Sequence, residues 1–316
     1  MTSRCNLICD GCYYYTGEKQ HSSDHRVAAA WRDLMCQERQ RGINFVVLAG
    51  AEPSLVPDLC RVCYQEIPLG CVATNGIVKI PSDIGYTIHV SVWGNDHTSR
   101  DVRGAACLDT QLSNYASDHR AVFVYTFNRH NIEEAEEVVD RIVTAGGRVT
   151  FNQFSAPMGY SGDLSLDVTA RRKMATVMAR LLRAYPQQVL YSSYNIEVHS
   201  GSQGLHDRFG CPYPRRNKTA TMGIGKTFRH YRSDLRWDGH DHNGSGSCCV
   251  PDTDCKDCRH YAAGSAVVSS KLFRHATDRH HFAQWLDYVD TYLAVWVLGY
   301  PKGNNLVPTA DERAFR

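Results

Sequence analysis

Two groups of closely spaced cysteines are the residues of this sequence best suited to chemistry. The first group is Cys5, Cys9 and Cys12, and the second is Cys248, Cys249, Cys255 and Cys258, with Cys211 upstream. The chain carries 13 cysteines and starts without a basic-then-apolar export signal, so we expect thiols used for metal binding or catalysis rather than disulfides. Thiolates are soft ligands that suit iron–sulfur clusters or zinc.

The first group supplies three thiolates, and that number separates the possible metals. A structural zinc ion takes four protein ligands, so three cysteines leave its site incomplete. A four-iron cluster held by three cysteines leaves one iron open to another ligand. A chance zinc knuckle is the alternative for these residues.

The second group offers five thiols, counting Cys211, for the four positions of a metal centre. Adjacent side chains in an extended segment point to opposite sides, so we expect only one of Cys248 and Cys249 to bind metal. A four-iron cluster and a four-cysteine zinc site both fit this set. The surplus thiol is either a buried apolar filler or, beside a substrate radical, a donor of a hydrogen atom. The aspartates around it favour a cationic substrate and are Asp238, Asp241, Asp252, Asp254 and Asp257.

The other cysteines are scattered through periodic segments and are predicted to be small buried side chains. They are Cys36, Cys60, Cys63, Cys71 and Cys107. Cys60 and Cys63 form a C-x-x-C pattern inside a predicted helix, for which a redox or metal pair is the alternative.

The overall composition excludes several classes of partner. The chain of 316 residues is 43% hydrophobic and 22% charged, which is typical of a globular protein, and its formal net charge is +2. We therefore expect no nucleic-acid partner. Its apolar runs at 44–48 and 292–298 are too short to span a bilayer, so we expect no membrane and a cytoplasmic location.

Strands and helices alternate through the first two thirds of the chain. The hydrophobic pattern predicts helices at 26–41, 57–66, 108–117, 132–145 and 168–185, and strands at 43–49, 70–73, 86–92, 121–127 and 149–154. Such alternation predicts parallel strands covered by helices, and therefore an α/β fold that is a βα barrel or an open part of one.

The alternation stops after Val198, and the chain is divided there. Residues 199–262 are rich in Gly, Asp, Arg and His and poor in aliphatic residues, so we expect metal ligation to hold this segment together. Residues 263–316 are predicted to close the barrel, with one face of a helix at 282–298 packed on it. The predicted domains are therefore 1–198, 199–262 and 263–316.

Several segments, in the right order, resemble the radical S-adenosylmethionine (radical SAM) enzymes. Residues 2–12, TSRCNLICDGC, resemble their cluster-binding loop, and Gly50-Ala51-Glu52-Pro53 resembles their Gly-Gly-Glu-Pro motif. The resemblance implies a partial βα barrel in which Glu52 and the backbone near Gly50 hold the ammonium of SAM. It also assigns SAM contacts to Ser91 and Asn128.

The chain departs from this pattern at two places. Gly11 stands where the family usually has an aromatic residue against the adenine, so Tyr13 or a neighbouring tyrosine is expected to replace it. Only four residues precede Cys5, so we expect the first barrel strand to be missing or short and the barrel to be more open at that edge.

The second group of cysteines is similar to the auxiliary-cluster domains, of SPASM and twitch type, that follow many radical SAM barrels. This resemblance implies two four-iron clusters, one binding SAM and one held by Cys211, Cys248, Cys255 and Cys258, with a flavodoxin or ferredoxin as the electron donor. The whole chain resembles the radical SAM epimerases of aminoglycoside antibiotics, which implies that Cys249 donates hydrogen to a radical on a cationic aminoglycoside. A radical SAM dehydrogenase or peptide-modifying maturase, and a non-catalytic iron–sulfur or zinc scaffold, are the alternatives.

Overall fold

A parallel sheet of five strands forms the centre of the protein. The computed structural model describes residues 1–2, 4–12, 28–156, 160–209 and 267–298. The strands lie side by side in chain order and are β1 (Val46–Leu48), β2 (Gly70–Thr74), β3 (Thr87–Val92), β4 (Ala121–Phe127) and β5 (Val149–Gln153). Every neighbouring pair is parallel.

Helices lie before, between and after the strands. They are α1 (Ala28–Gln40), α2 (Pro57–Glu66), α3 (Asp96–Arg103), α4 (Leu108–Tyr115), α5 (Ala135–Thr144), α6 (Val168–Ala184), α7 (Ser193–Ser200), α8 (Leu205–Phe209), α9 (Leu272–His275) and α10 (Arg279–Leu293). Alternate strand residues such as Ile88, Val90 and Val92 join the helices in one large core. All seven residues of β4 are buried, as expected for a central parallel strand covered on both faces.

The π-helix Ala294–Leu298 directly follows α10. It fills the inner face of the sheet in the half nearer the amino ends of the strands. Val295 and Trp296 pack there with Cys71 of β2 and Val122 of β4. The ring of His89 on β3 hydrogen-bonds the Val295 carbonyl at 2.9 Å. Since a carbonyl only accepts, Nε2 of His89 carries the proton. This segment leaves the other half of the inner face, towards the carboxyl ends of the strands, for a site.

The burial of His89 predicts that the fold loses stability in acid. Burial lowers the pKa of His89 to about 4, below the 6.5 of an exposed histidine. Between these two pH values, this histidine is protonated in the unfolded chain but not in the folded chain. The free energy of unfolding therefore falls as pH drops from about 7 to 4, by up to about 3 kcal/mol. We expect the melting temperature to fall less over this pH range in the His89→Gln variant than in the wild-type protein. The glutamine amide can still donate a hydrogen bond to the Val295 carbonyl. An equal fall in both proteins would contradict this role for His89.

A second, smaller core joins parts of the chain that are distant in sequence. Its buried residues are Tyr194, Val198, Leu205, Phe209, Val267, Val268 and Tyr288. Phe209 and Val267 flank residues 210–266, which lie outside the described part. The two ends of the described chain at this gap, Phe209 and Val267, therefore lie in the same core.

The helix predicted at 282–298 starts earlier, at Arg279, and continues to Leu298 through the π-helix, but its packed face is only partly as expected. Trp285 and Trp296 pack as predicted, whereas Phe282, Leu286 and Leu293 are 39%, 42% and 40% exposed. The face that packs instead carries Tyr288, whose hydroxyl lies 3.1 Å from Nε2 of His199 on α7. A buried tyrosine needs a partner for its hydroxyl, and this requirement favours the observed rotation of the helix.

Among the described residues, no further strand pairs with the outer edge of β1. Residues 1–2 run beside the end of β1, where the Met1 amino group donates to the Ala49 carbonyl and the Ala51 amide donates to the Thr2 carbonyl, both at 2.9 Å. A Cβ at Gly50 would lie 2.7 Å from the Met1 nitrogen, so this close approach requires glycine. No helix among the described residues has the length and apolar character needed to cross a membrane.

Candidate radical SAM site

The first cysteine group lies on a loop at the carboxyl ends of the strands. In this loop the Ile8 amide donates to the Arg103 carbonyl at 3.3 Å, and the Asp10 amide donates to the Val102 carbonyl at 2.8 Å. Both carbonyls belong to the end of α3, which follows β3. The carboxyl ends of parallel strands are where barrel enzymes place their chemistry.

The three thiols of this loop form no disulfide, are half-buried and lie close enough to influence one another. Burial raises the pKa of Cys5, the Leu7 amide that donates to its sulfur opposes this, and the charges of Glu52, Cys9 and Cys12 raise the pKa further. Three thiolates so close together repel one another. They therefore need a cationic centre before they can all ionise.

The arrangement favours a cluster over a single ion. Among the described residues, no group of three or more His, Cys, Asp or Glu side chains could hold one metal ion. A zinc ion needs all its ligands around one point, whereas each thiolate on a four-iron cluster binds a separate iron. Three thiolates on this loop match the ligand number of the proposed cluster, and a zinc knuckle stays the alternative. Next to Cys5 and Cys9, Ile8 is 88% exposed, so the loop opens outward.

Glu52 is buried below this loop, 1% exposed, and ties the ends of β1 and β2 together. Its Oε1 accepts from the Ser54 amide at 2.9 Å and from the Thr74 hydroxyl at 2.7 Å, and its Oε2 accepts from the Asn75 amide at 2.7 Å. A carboxylate offers about four acceptor positions, so one remains on Oε2. The Glu52 carboxylate therefore has a structural role, since it holds these strand ends together by hydrogen bonds. Its contact with SAM stays a prediction.

Asn75 connects Glu52 with the cysteine loop. Its Nδ2 donates to Asn6 Oδ1 at 2.6 Å and to the Cys5 sulfur at 3.8 Å. Its Oδ1 accepts from the Ile77 amide at 3.0 Å, and its carbonyl accepts from Gln111 at 2.7 Å. The sequence at the end of β2 does not indicate this role, because Asn75 and Cys5 are 70 positions apart in the chain.

Arg103 at the end of α3 is a buried cation that the sequence analysis missed. Its Nη1 donates to the Ser91 carbonyl at 2.6 Å, while its Nε has no hydrogen-bond partner. Burial alone would lower its pKa, but its interactions with the sulfurs of Cys9 and Cys107, including a hydrogen bond with Cys9, hold the pKa above its usual value. The side chain of Ser91 is half-buried on the inner face of the sheet.

Asn128, at the end of β4, is fully buried within a turn. Its Oδ1 accepts from the His130 amide at 2.9 Å, and its own amide donates to Asn131 Oδ1 at 2.8 Å. Its Nδ2 has no hydrogen-bond partner. The structure therefore places Asn128 beneath the site, and its contact with SAM stays a prediction.

Aromatic rings occupy the space beside Gly11. A Cβ at Gly11 would lie 2.5 Å from the Phe154 ring and 3.1 Å from the Tyr160 ring, and φ of Gly11 is +61°. Phe154 also contacts Trp93, with centroids 5.8 Å apart, and the Tyr160 hydroxyl donates to Asp10 at 2.8 Å. Tyr13, expected to supply the aromatic surface, lies outside the described residues, and the ring that the structure places against Gly11 is that of Phe154 after β5.

Four of the five scattered cysteines are buried, as predicted. Cys60, Cys63, Cys71 and Cys107 are buried, and Cys36 is half-buried. Burial raises the pKa of Cys60 to about 12 and that of Cys63 higher still. A C-x-x-C pair in this state supplies no thiolate at neutral pH, which argues against a redox role.

The second cysteine group, Cys211, Cys248, Cys249, Cys255 and Cys258, lies outside the described residues, so the auxiliary cluster and the domain boundaries around it stay predictions.

Comparison of the fold with solved structures identifies two proteins that bind SAM. Streptococcus suis SuiB bound to S-adenosylmethionine matches with a TM-score of 0.50 and 16% identity over 60% of this chain and 47% of SuiB. The anSMEcpe protein with bound AdoMet matches with a TM-score of 0.50 and 14% identity over 62% of this chain and 63% of its own. The predicted α/β fold, an open βα barrel built on a parallel sheet, is confirmed.

The same SuiB also matches in its complex with the precursor peptide SuiA, with a TM-score of 0.50 and 16% identity over 58% of this chain and 45% of SuiB. This chain therefore spans about half the length of SuiB. No family model matches the sequence. No curated protein is similar to it either.

Proposed function

We propose that this protein is a radical SAM enzyme in which Cys5, Cys9 and Cys12 hold a SAM-binding four-iron cluster. The observation that carries the proposal is the position of their loop, which lies at the carboxyl ends of the strands of an open parallel barrel. When bound, the cluster supplies the electron that cleaves SAM to methionine and a 5'-deoxyadenosyl radical.

The chain's own residues are suited to hold SAM around that position. Glu52 keeps one acceptor position on Oε2 for the ammonium, and the buried guanidinium of Arg103 has an unpartnered Nε for the carboxylate. Phe154 and Trp93 offer apolar ring surface to the adenine. Ser91, half-buried on the inner face between these groups, is proposed to contact the ribose or carboxylate.

The proposed reaction is the inversion of one ring carbon of a cationic aminoglycoside, as in the conversion of neomycin C into neomycin B. This finer proposal rests on the sequence resemblance to aminoglycoside epimerases. The adenosyl radical removes one hydrogen atom from the carbon, and Cys249 returns one hydrogen atom on the opposite face. One electron and one proton then restore the Cys249 thiol. Cys211, Cys248, Cys255 and Cys258 would hold an auxiliary cluster, which would supply an electron drawn from a flavodoxin or ferredoxin.

A peptide-modifying activity is the second candidate, and a specific observation favours it. One of the matching structures is SuiB bound to its precursor peptide SuiA. A peptide maturase or dehydrogenase would use the auxiliary cluster to accept an electron from its substrate radical, and it would not need the surplus thiol of Cys249. A non-catalytic scaffold would cleave no SAM at all.

Anaerobic reconstitution with iron and sulfide, followed by reduction in the presence of SAM, tests the general proposal. We expect 5'-deoxyadenosine to form, and its absence from a fully reconstituted protein would support a scaffold instead. Incubation with neomycin C then tests the finer proposal by the appearance of neomycin B. Formation of 5'-deoxyadenosine without reaction of any aminoglycoside would favour the peptide candidate.

Substitution of Glu52 by glutamine is expected to weaken SAM binding. In either orientation, the new NH2 group faces hydrogen-bond donors, either those of Ser54 and Thr74 or that of Asn75. The substitution also removes the negative charge that is proposed to face the ammonium of SAM. Loss of a charged hydrogen bond costs about 1.5–3 kcal/mol, so affinity should fall by roughly ten- to a hundredfold in a calorimetric titration. Glu136→Gln, on the exposed face of α5, is the matched control. Equal affinities of the two variants, with equal iron content, would reject Glu52 as a SAM ligand.

A further inference from the structure

Asn75 is the polar side chain that links the interior of the barrel to the cysteine loop. Its Nδ2 carries two hydrogens, and the structure gives each one an acceptor, Asn6 Oδ1 at 2.6 Å and the Cys5 sulfur at 3.8 Å. Asn75 itself is 6% exposed, so its side chain is largely shielded from water.

The orientation of the Asn75 amide is settled by its neighbours. Its Oδ1 accepts from the Ile77 amide at 3.0 Å, and a flipped side chain would place two donors against each other there. The backbone of Asn75 is held on both sides, because its amide donates to Glu52 and its carbonyl accepts from Gln111. The NH2 group therefore faces the loop that carries Cys5.

We infer that Asn75 is a positioning residue that holds the Cys5 sulfur and raises the reduction potential of the cluster bound there. The inference rests on the proposed function, since it requires that cluster. Reduction adds negative charge to the cluster and its sulfurs, so a hydrogen bond to a ligand sulfur stabilises the reduced form more than the oxidised form. Removal of the donor should therefore make the cluster harder to reduce.

Two variants separate the donated hydrogen bond from the fold of the turn. Asn75→Asp keeps the size of the side chain and the acceptor for the Ile77 amide, but it donates nothing and adds negative charge. Asn75→Ala removes the donor without adding charge. The matched control is Asn114→Ala, because Asn114 donates to the Gly76 and Ile77 carbonyls of the same turn at 3.0 and 3.1 Å.

The readouts are iron content and the reduction potential of the cluster, measured without SAM by redox titration monitored by electron paramagnetic resonance. For Asn75→Ala we expect the reduction equilibrium to shift about three- to tenfold towards the oxidised form, a fall of about 28–59 mV at 59 mV per tenfold. Asn75→Asp should fall further. Loss of iron in both Asn75 variants but not in Asn114→Ala would also support the inference, since the Cys5 sulfur would then be misplaced.

Two results would overturn the inference while the proposed function stands. One is a wild-type iron content and potential in both Asn75 variants, and the other is an equal effect in Asn114→Ala, which would assign the effect to the turn. Failure of the wild-type protein itself to bind a four-iron cluster would instead reject the proposed function, and the inference with it.

Discussion

Replacement of Cys5, Cys9 and Cys12 by alanine should abolish SAM cleavage and remove about half of the iron. Two four-iron clusters give about eight irons per chain, and only the first is proposed to bind SAM. The triple variant should therefore keep about four irons and form no 5'-deoxyadenosine, as measured by iron analysis and chromatography of the reaction mixture.

The control for this experiment is Cys36→Ala. Cys36 is also half-buried, but its thiol donates to Glu66, away from the cysteine loop. It should keep the full iron content and the full rate of cleavage. A reconstituted wild-type protein with about four irons would contradict the two-cluster proposal, and cleavage by the triple variant would reject these cysteines as the SAM-binding set.

Replacement of Cys249 by alanine should stop epimerisation without stopping the cleavage of SAM. Abstraction of hydrogen from the substrate precedes donation by the thiol, so this variant should hold both clusters and still form 5'-deoxyadenosine, yet yield almost no epimer. A thiol exchanges its hydrogen with water. In heavy water the wild-type product should therefore carry one carbon-bound deuterium at the inverted centre, detected by mass spectrometry and nuclear magnetic resonance.

The neighbouring Cys248 provides the control, because Cys248→Ala should lose the auxiliary cluster. If Cys249→Ala loses that cluster instead, the two roles are reversed. If Cys249→Ala epimerises normally, the hydrogen donor is another group and the proposed mechanism is wrong.

The elements whose local pattern agrees with their surroundings could be predicted closely. The predicted bounds of β4 and α2 match the structure exactly, because β4 is an apolar run covered on both faces and α2 begins at Pro57. Helix α3 was missed because its sequence, DHTSRDVR, carries almost no apolar stripe. Its caps were the available signal, since Asn95 accepts from the first-turn amides and Gly104 ends the helix with φ of 79°.

The ligand-bearing loop could be predicted, but the residues that support it could not. The spacing of Cys5, Cys9 and Cys12 is local information. The contacts of Asn75 with Cys5 and of Tyr160 with Asp10 join residues 70 and 150 positions apart, and no periodicity records such distances. Glu52 shows the same limit, since its motif indicates the carboxylate but not the three donors that occupy it.

The filling of the sheet by Ala294–Leu298 has a consequence for biosynthesis. A ribosome completes β5 at Gln153 more than a hundred residues before it adds the segment that covers Cys71, Val122 and His89. Chains emerge amino-terminal end first, and incompletely packed apolar surface promotes aggregation. From the completion of β5 until Ala294 is added, the nascent barrel therefore lacks the cover of this segment, which is the situation in which chaperones act.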